Sequence, residues 1–271
     1  MTGPKESLPP KPQIISISEK ITISYYHSCG KTDLMLLLIH GLGSSKEDFL
    51  SIFEYRDLTA NNILIPDLVG HGDSSRPSNF SYLMADQADI LSRLLNALSI
   101  KSSIVLIAHS MGGPIAISLA ELLGNRIIGM IYAEGNIDEG DCFFSKTVID
   151  SFSSEDWKAR GFDQFLMKFQ NNQEMTAFAK SFAKAGPVTS YSSSQDLYRV
   201  SKKDMLLMRL VQLSIPVLGM YGAKNKGKFS SEKKLLAKFP VRFIPDAGHA
   251  MMQDNPNFFY NTVIEYVNSL S

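Results

Sequence analysis

Several things are scarce in this chain. It has two cysteines, Cys29 and Cys142, in 271 residues. One pair is too few for the disulfide framework that staples small secreted domains. Its apolar runs, such as residues 34–39 and 104–108, are strand length and fall far below the roughly 20 residues a membrane helix needs. Charge of one sign is not in excess. Lys+Arg and Asp+Glu stand at 27 each, so no overall field draws the chain to nucleic acid or an anionic membrane. The basic stretches 224–228 and 233–234 read as a solvated loop and a helix face. There is no His-x-x-x-His, no cysteine pair at metal-ligand spacing and no dense carboxylate set, so no metal is expected. No glycine-rich dinucleotide fingerprint follows the first buried strand, so no cofactor is expected either. Residues 1–12 are polar and proline-rich without the apolar stretch of a secretory signal. They read as a flexible leader, and the cytoplasm is the default compartment.

What is present is ordinary for a folded enzyme-sized domain. Hydrophobic residues make up 44% and charged residues 20%, enough for a substantial core in one domain with an insertion. Residues 14–26 alternate apolar and polar side chains around Ser18-Glu19-Lys20, which predicts two antiparallel strands with one wet face. Continuous apolar runs then recur at 34–39, 63–65, 104–107, 127–132, 217–221 and 241–244. Such runs fit strands buried on both faces. Amphipathic stretches lie between most of them, for example 88–98 and 115–123. Alternating buried strands and helices predict an α/β fold with a mostly parallel sheet covered by helices on both faces. The alternation fails from 137 to 213. That region is helical in pattern and rich in aromatics, punctuated by Gly161 and Gly186-Pro187. It reads as a helical cap inserted into a core made of 13–136 and 214–271. Its phenylalanines are expected to pack in part against the core, with the remainder lining an apolar pocket.

Four short segments carry the chemistry. His109-Ser110-Met111 sits between a buried strand and an apolar helix. A serine on such a sharp turn has an exposed hydroxyl, and small residues two before and two after let strand and helix approach. Here these are Ala108 and Gly112, where glycine is usual at both. His40-Gly41-Leu42-Gly43 follows the strand 34–39. A backbone N–H at Leu42 and that of Met111 would together hold an oxyanion. Asp67-Leu68-Val69-Gly70-His71-Gly72-Asp73-Ser74 follows the next strand, and its His71 and Asp73 are expected to brace the loop. Gly248-His249 follows the last strand. His249 is the best-placed of five histidines to act as base for Ser110, and His40 is expected to brace its own loop.

The order of these segments resembles the α/β-hydrolase superfamily, over roughly residue 14 to the C-terminus. The branches it is similar to, esterases, lactonases and carbon–carbon bond hydrolases, use serine. Haloalkane dehalogenases and epoxide hydrolases carry Asp at the position of Ser110. The resemblance implies a hydrolase with Ser110 as nucleophile, acting on a small to medium, largely apolar ester, thioester or lactone. Carbon–carbon bond cleavage by the same residues is an alternative, as is a ligand-binding sensor with weak activity. A carrier-borne acyl group would suit Lys158, Arg160, Lys180 and Lys184 around the cap. A small-molecule substrate is expected, with no nucleic acid and no membrane span.

The resemblance also implies an acid after the strand 217–221, but Asn225 stands there. No Asp occurs between Asp204 and Asp246, and Glu232, the one Glu, falls in a helical pattern. Some members carry the acid one strand earlier. Here that place holds Glu134, directly after 127–132, which is the preferred acid. Asp138, Glu139 and Asp141 are the alternatives.

Overall fold

The computed structural model describes residues 9–270. Most of the expected leader therefore lies outside the described residues, and 9–12 carry no regular element. Strands β1 (Gln13–Ser18) and β2 (Ile21–Ser28) pair antiparallel. They are followed by β3 (Leu34–Ile39), β4 (Asn62–Pro66), β5 (Ser103–His109), β6 (Ile127–Ala133), β7 (Val217–Gly222) and β8 (Val241–Ile244). All eight form one sheet in the order β1-β2-β4-β3-β5-β6-β7-β8. β2 is antiparallel to β4, and every pairing from β4 through β8 is parallel.

The continuous apolar runs follow from this placement. Successive side chains of a strand point to opposite faces, and here both faces are buried. Leu37, Ile39, Leu106 and Ala108 enter one core with Leu91 and Leu94 of the helix Met84–Ala97 and Ile115 of the helix Gly112–Leu123. Leu36, Leu38, Val105 and Ile107 enter the other with Phe259 and Val263 of the helix Pro256–Asn268. The buried polar Gln87 is satisfied, since its amide exchanges two hydrogen bonds with the backbone of Val69, at 3.0 and 2.9 Å.

Between β6 and β7 the chain is helical, with its main helices at Phe143–Ser151, Phe162–Gln170, Thr176–Val200 and Met205–Gln212. The third of these breaks at Gly186, whose φ of +73° no helix accommodates. The aromatics of this insertion behave differently from the sequence expectation. Rather than dividing between the sheet and a pocket, most pack on one another. Val148, Trp157, Phe162 and Phe182 form a separate core, flanked by Phe144, Phe152, Phe165, Phe169 and Phe178. Phe162 stacks on Phe182 at 4.9 Å, and Trp157 Nε1–H donates to Ser190 Oγ at 3.0 Å. Helical periodicity identifies an apolar face, but not which neighbour covers it.

Cys29 and Cys142 are both free. Among the described residues, no helix is long and apolar enough to cross a membrane.

Candidate active site

Two adjacent strand ends build the centre. Ser110 follows β5 and continues the sheet ladder by donating its N–H to Ala133 O at 3.1 Å. It then turns into the left-handed region, with φ +54°. A non-glycine residue there costs on the order of 1 kcal/mol or more and persists only where its surroundings fix it. Ser110 O accepts the N–H of Gly113 at 2.9 Å, which starts the helix Gly112–Leu123. Gly112 lies against the Ile39 carbonyl of β3, leaving no room for a Cβ. That contact explains the small residue two positions after the serine.

Glu134 repeats the geometry one strand along. It follows β6, donates its N–H to Met220 O at 2.8 Å and turns with φ +40°. Its side chain is fully buried. Oε2 lies 2.6 Å from His249 Nδ1. Oε1 accepts the Gly222 N–H at 2.8 Å, and Asn225 Nδ2 lies 3.1 Å from both oxygens. The carboxylate therefore takes three donors, one of them the amide at the position where the resemblance implies an acid. With Nδ1–H given to Glu134, a neutral His249 ring presents Nε2 as an acceptor. Two of the other carboxylates of this segment are engaged elsewhere. Asp138 pairs with Lys234 at 2.7 Å, and Asp141 accepts the N–H of Ile137 at 2.9 Å. Glu139 is exposed.

Two contacts that sequence reasoning missed hold His249 beside the turn at Ser110. The His109 and His249 rings lie 4.5 Å apart, and His109 Nε2–H donates to the His249 carbonyl at 2.9 Å. Burial, and then the neighbouring His249, hold His109 well below the usual imidazole range, so it is neutral. On the other side Phe229 stacks on His249 with centroids 6.1 Å apart. Phe143, from the insertion, packs edge-on against Phe229. A phenylalanine at either position carries no sequence signal that separates it from core.

The loops after β3 and β4 frame the serine. A methyl group built on Gly41 would stand 3.0 Å from Ser110 Cβ, which puts the Gly41 backbone against Ser110. Met111 caps the start of the adjoining helix. His40 Nε2 accepts the Leu68 N–H at 3.1 Å, so Nδ1–H donates to Gly41 O at 2.8 Å. Burial lowers its pKa to about 4, against a smaller opposing effect of that hydrogen bond. His71 is buried and held well below its usual range by the same desolvation.

Lys46 is a further surprise. It is fully buried, and its ammonium lies 2.7 Å from Asp67 and 2.9 Å from Asp73. Burial alone would favour the neutral amine, but Asp67, Asp73 and Glu47 outweigh it and raise the pKa. Asp73 also pairs with Lys184 of the insertion at 2.7 Å. Lys184, and Arg160 through Asp156, are thus occupied by intramolecular partners.

The insertion lies over these loops. Gly43 has φ +70°, and a Cβ on it would meet Phe182 at 2.6 Å and Phe178 at 3.3 Å. Asp196 accepts the Met84 N–H at 2.7 Å.

Comparisons with known proteins agree with this architecture. The model of the alpha/beta hydrolase family matches residues 36–262. Lipase 1 of Psychrobacter immobilis is 41% identical over 85 residues, 31% of this chain and 26% of that protein. The coelenterazine h 2-monooxygenase of Renilla reniformis is 25% identical over 153 residues, 56% of this chain and 45% of that one. The chain thus matches well under two thirds of the length of these relatives. The solved structure of an esterase from Exiguobacterium antarcticum superposes with a TM-score of 0.74 at 18% identity, covering 95% of this chain and 100% of that one. With a family match over most of its length and the eight-stranded sheet that the family shares, the chain belongs to the α/β-hydrolase family.

Proposed function

We propose that the protein is a serine hydrolase that cleaves a small to medium, largely apolar ester, thioester or lactone through an acyl-enzyme. The observation that carries this reading is the 2.6 Å contact between the buried Glu134 carboxylate and His249 Nδ1, beside a serine at φ +54°. Family membership does not choose the chemistry, since one fold hosts many reactions.

In this reading Ser110 Oγ attacks the substrate carbonyl as its proton passes to His249 Nε2. The imidazolium is offset by Glu134 and kept in orientation by the Nδ1–H bond. The backbone N–H groups of Leu42 and Met111 receive the oxyanion. Collapse expels the alcohol or thiol, which takes the proton from Nε2. Water then attacks the acyl-enzyme, gives its proton to Nε2, and Ser110 Oγ leaves with that proton. Residues 137–213 serve as the cap over a core of 13–136 and 214–271. Phe178, partly buried against Gly43, makes its acyl side apolar.

The test is turnover of p-nitrophenyl esters of increasing acyl length, beside Ser110→Ala. Hydrolysis that Ser110→Ala abolishes, in a variant with unchanged circular dichroism, is the expected outcome. Equal hydrolysis by Ser110→Ala would remove the serine from its role.

A further inference from the structure

The loop after β7 reads Lys224-Asn225-Lys226-Gly227-Lys228-Phe229, and the alternation in sequence is also one in space. Asn225 and Phe229 face inward, onto Glu134 and His249 respectively. Lys224, Lys226 and Lys228 are exposed. Among the described residues none of the three forms an ion pair, whereas Lys234, farther along, is bridged to Asp138 and Asp204. The acidic groups nearby do not neutralise them. Glu232 accepts the Gly227 N–H at 2.6 Å, Asp254 accepts the Gly248 N–H at 2.7 Å, and Asp246 stands exposed on the neighbouring turn. Lys226 Nζ lies 5.0 Å over the Phe243 ring. In a chain with no net charge, three unpaired ammonium groups stand on the six residues whose Asn225 and Phe229 contact Glu134 and His249.

Their side of the site matters. A departing alcohol or thiol takes its proton from His249 Nε2, so it leaves along the His249 ring that Phe229 flanks. Phe178 and Phe182 pack instead against Gly43, in the loop after β3 whose Gly41 lies against Ser110. We propose that Lys224, Lys226 and Lys228 read an anionic group on the leaving portion of the substrate. The preferred substrate is then an apolar acyl ester or thioester of an alcohol or thiol that carries a carboxylate or phosphate. The proposal rests on the serine-hydrolase reading. Three exposed charges within about 10 Å of an anion act mainly by steering, worth about tenfold in kcat/KM at low salt and screened above 0.1 M.

The experiment compares 4-butyryloxybenzoate, its neutral methyl ester and butyryl-coenzyme A as substrates. The enzymes are the wild type and the triple variant Lys224→Ser, Lys226→Ser, Lys228→Ser. The expected result is a loss of about tenfold in kcat/KM, carried by KM, on at least one anionic substrate and less than twofold on the methyl ester. A loss on the benzoate alone identifies a carboxylate, and one on the coenzyme A ester a phosphate. In wild type, 0.5 M NaCl should reproduce the loss. Equal losses on charged and neutral substrates, or none, overturn the proposal. If the wild type hydrolyses none of them, the serine reading fails first. Calorimetric binding of the benzoate to Ser110→Ala, with and without the lysines, then decides the anion question. Binding that needs the lysines supports it, and binding that ignores them or is absent overturns it.

Discussion

Glu134→Gln tests the centre most directly, because the two side chains have the same shape and differ in what they offer. The carboxylate accepts from Gly222 N–H, Asn225 Nδ2 and His249 Nδ1. A glutamine can keep only one oxygen in that ring of donors. If its oxygen stays on Gly222, its NH₂ faces His249 Nδ1, and the ring must accept there. The imidazole proton then moves to Nε2, the atom that should take the proton of Ser110. Both the wrong tautomer and the lost charge act on the transition state. A drop in kcat of about 10³–10⁴-fold follows, or about 4–5.5 kcal/mol at 1.36 kcal/mol per tenfold. Asn225→Ala removes one donor of three and leaves the carboxylate on His249. One charge-assisted hydrogen bond is worth about 1.5–3 kcal/mol at most, and only the part gained in the transition state lowers kcat, so about tenfold or less is expected. The assay is kcat and KM on p-nitrophenyl butyrate, with circular dichroism and a denaturation midpoint for each variant. Asn225→Ala costing as much as Glu134→Gln, in folded protein, would refute the assignment of the acid.

Three further outcomes are expected. Lys46→Met should leave Asp67 buried without its cation and lower stability by about 3–5 kcal/mol, and an unchanged urea midpoint would contradict the buried pair. Asp48 has its pKa raised to about 6 by burial, against its hydrogen bonds to Ser44 and Gln253. The native state therefore holds this proton more tightly than the unfolded chain does. The group favours folding most below about pH 4, and that advantage is lost as pH rises through 6. Asp48→Asn should raise the melting temperature above pH 6 and give no gain at pH 4, whereas a gain of equal size at every pH would argue against this titration. Gly43→Ala forces a Cβ at positive φ onto Phe182. It should lower kcat/KM at least tenfold on long-chain esters, and unaltered kinetics would show that the insertion does not rest on this loop.

Much of the fold was legible because its signals are local. The runs in β3 and β5 are apolar at every position, which only a doubly covered sheet explains, and the insertion showed as a gap in the strand pattern. The turn from β5 into the following helix showed as Ser110 with small residues two positions to either side. What stayed illegible depends on contacts between distant segments. Nothing local in Ser44-Ser45-Lys46-Glu47-Asp48 marks Lys46 as buried, yet it packs against Asp67, 21 residues on. Asn225 looked like a lost acid, and the sequence could not reveal that its amide donates to Glu134. The sheet explains how both positions serve one histidine. Ala133 pairs with His109 on one side and Met220 on the other. The ends of β6 and β7 are therefore one strand spacing apart, about 4.8 Å, within reach of a single imidazole. A carboxylate at the end of β6 needs donors around its outer oxygens, and an amide at the end of β7 is a donor in that place. A second carboxylate there would set two like charges on one site. The amide of Asn225 suits a carboxylate at Glu134, since it donates to both of its oxygens where an aspartate would repel them.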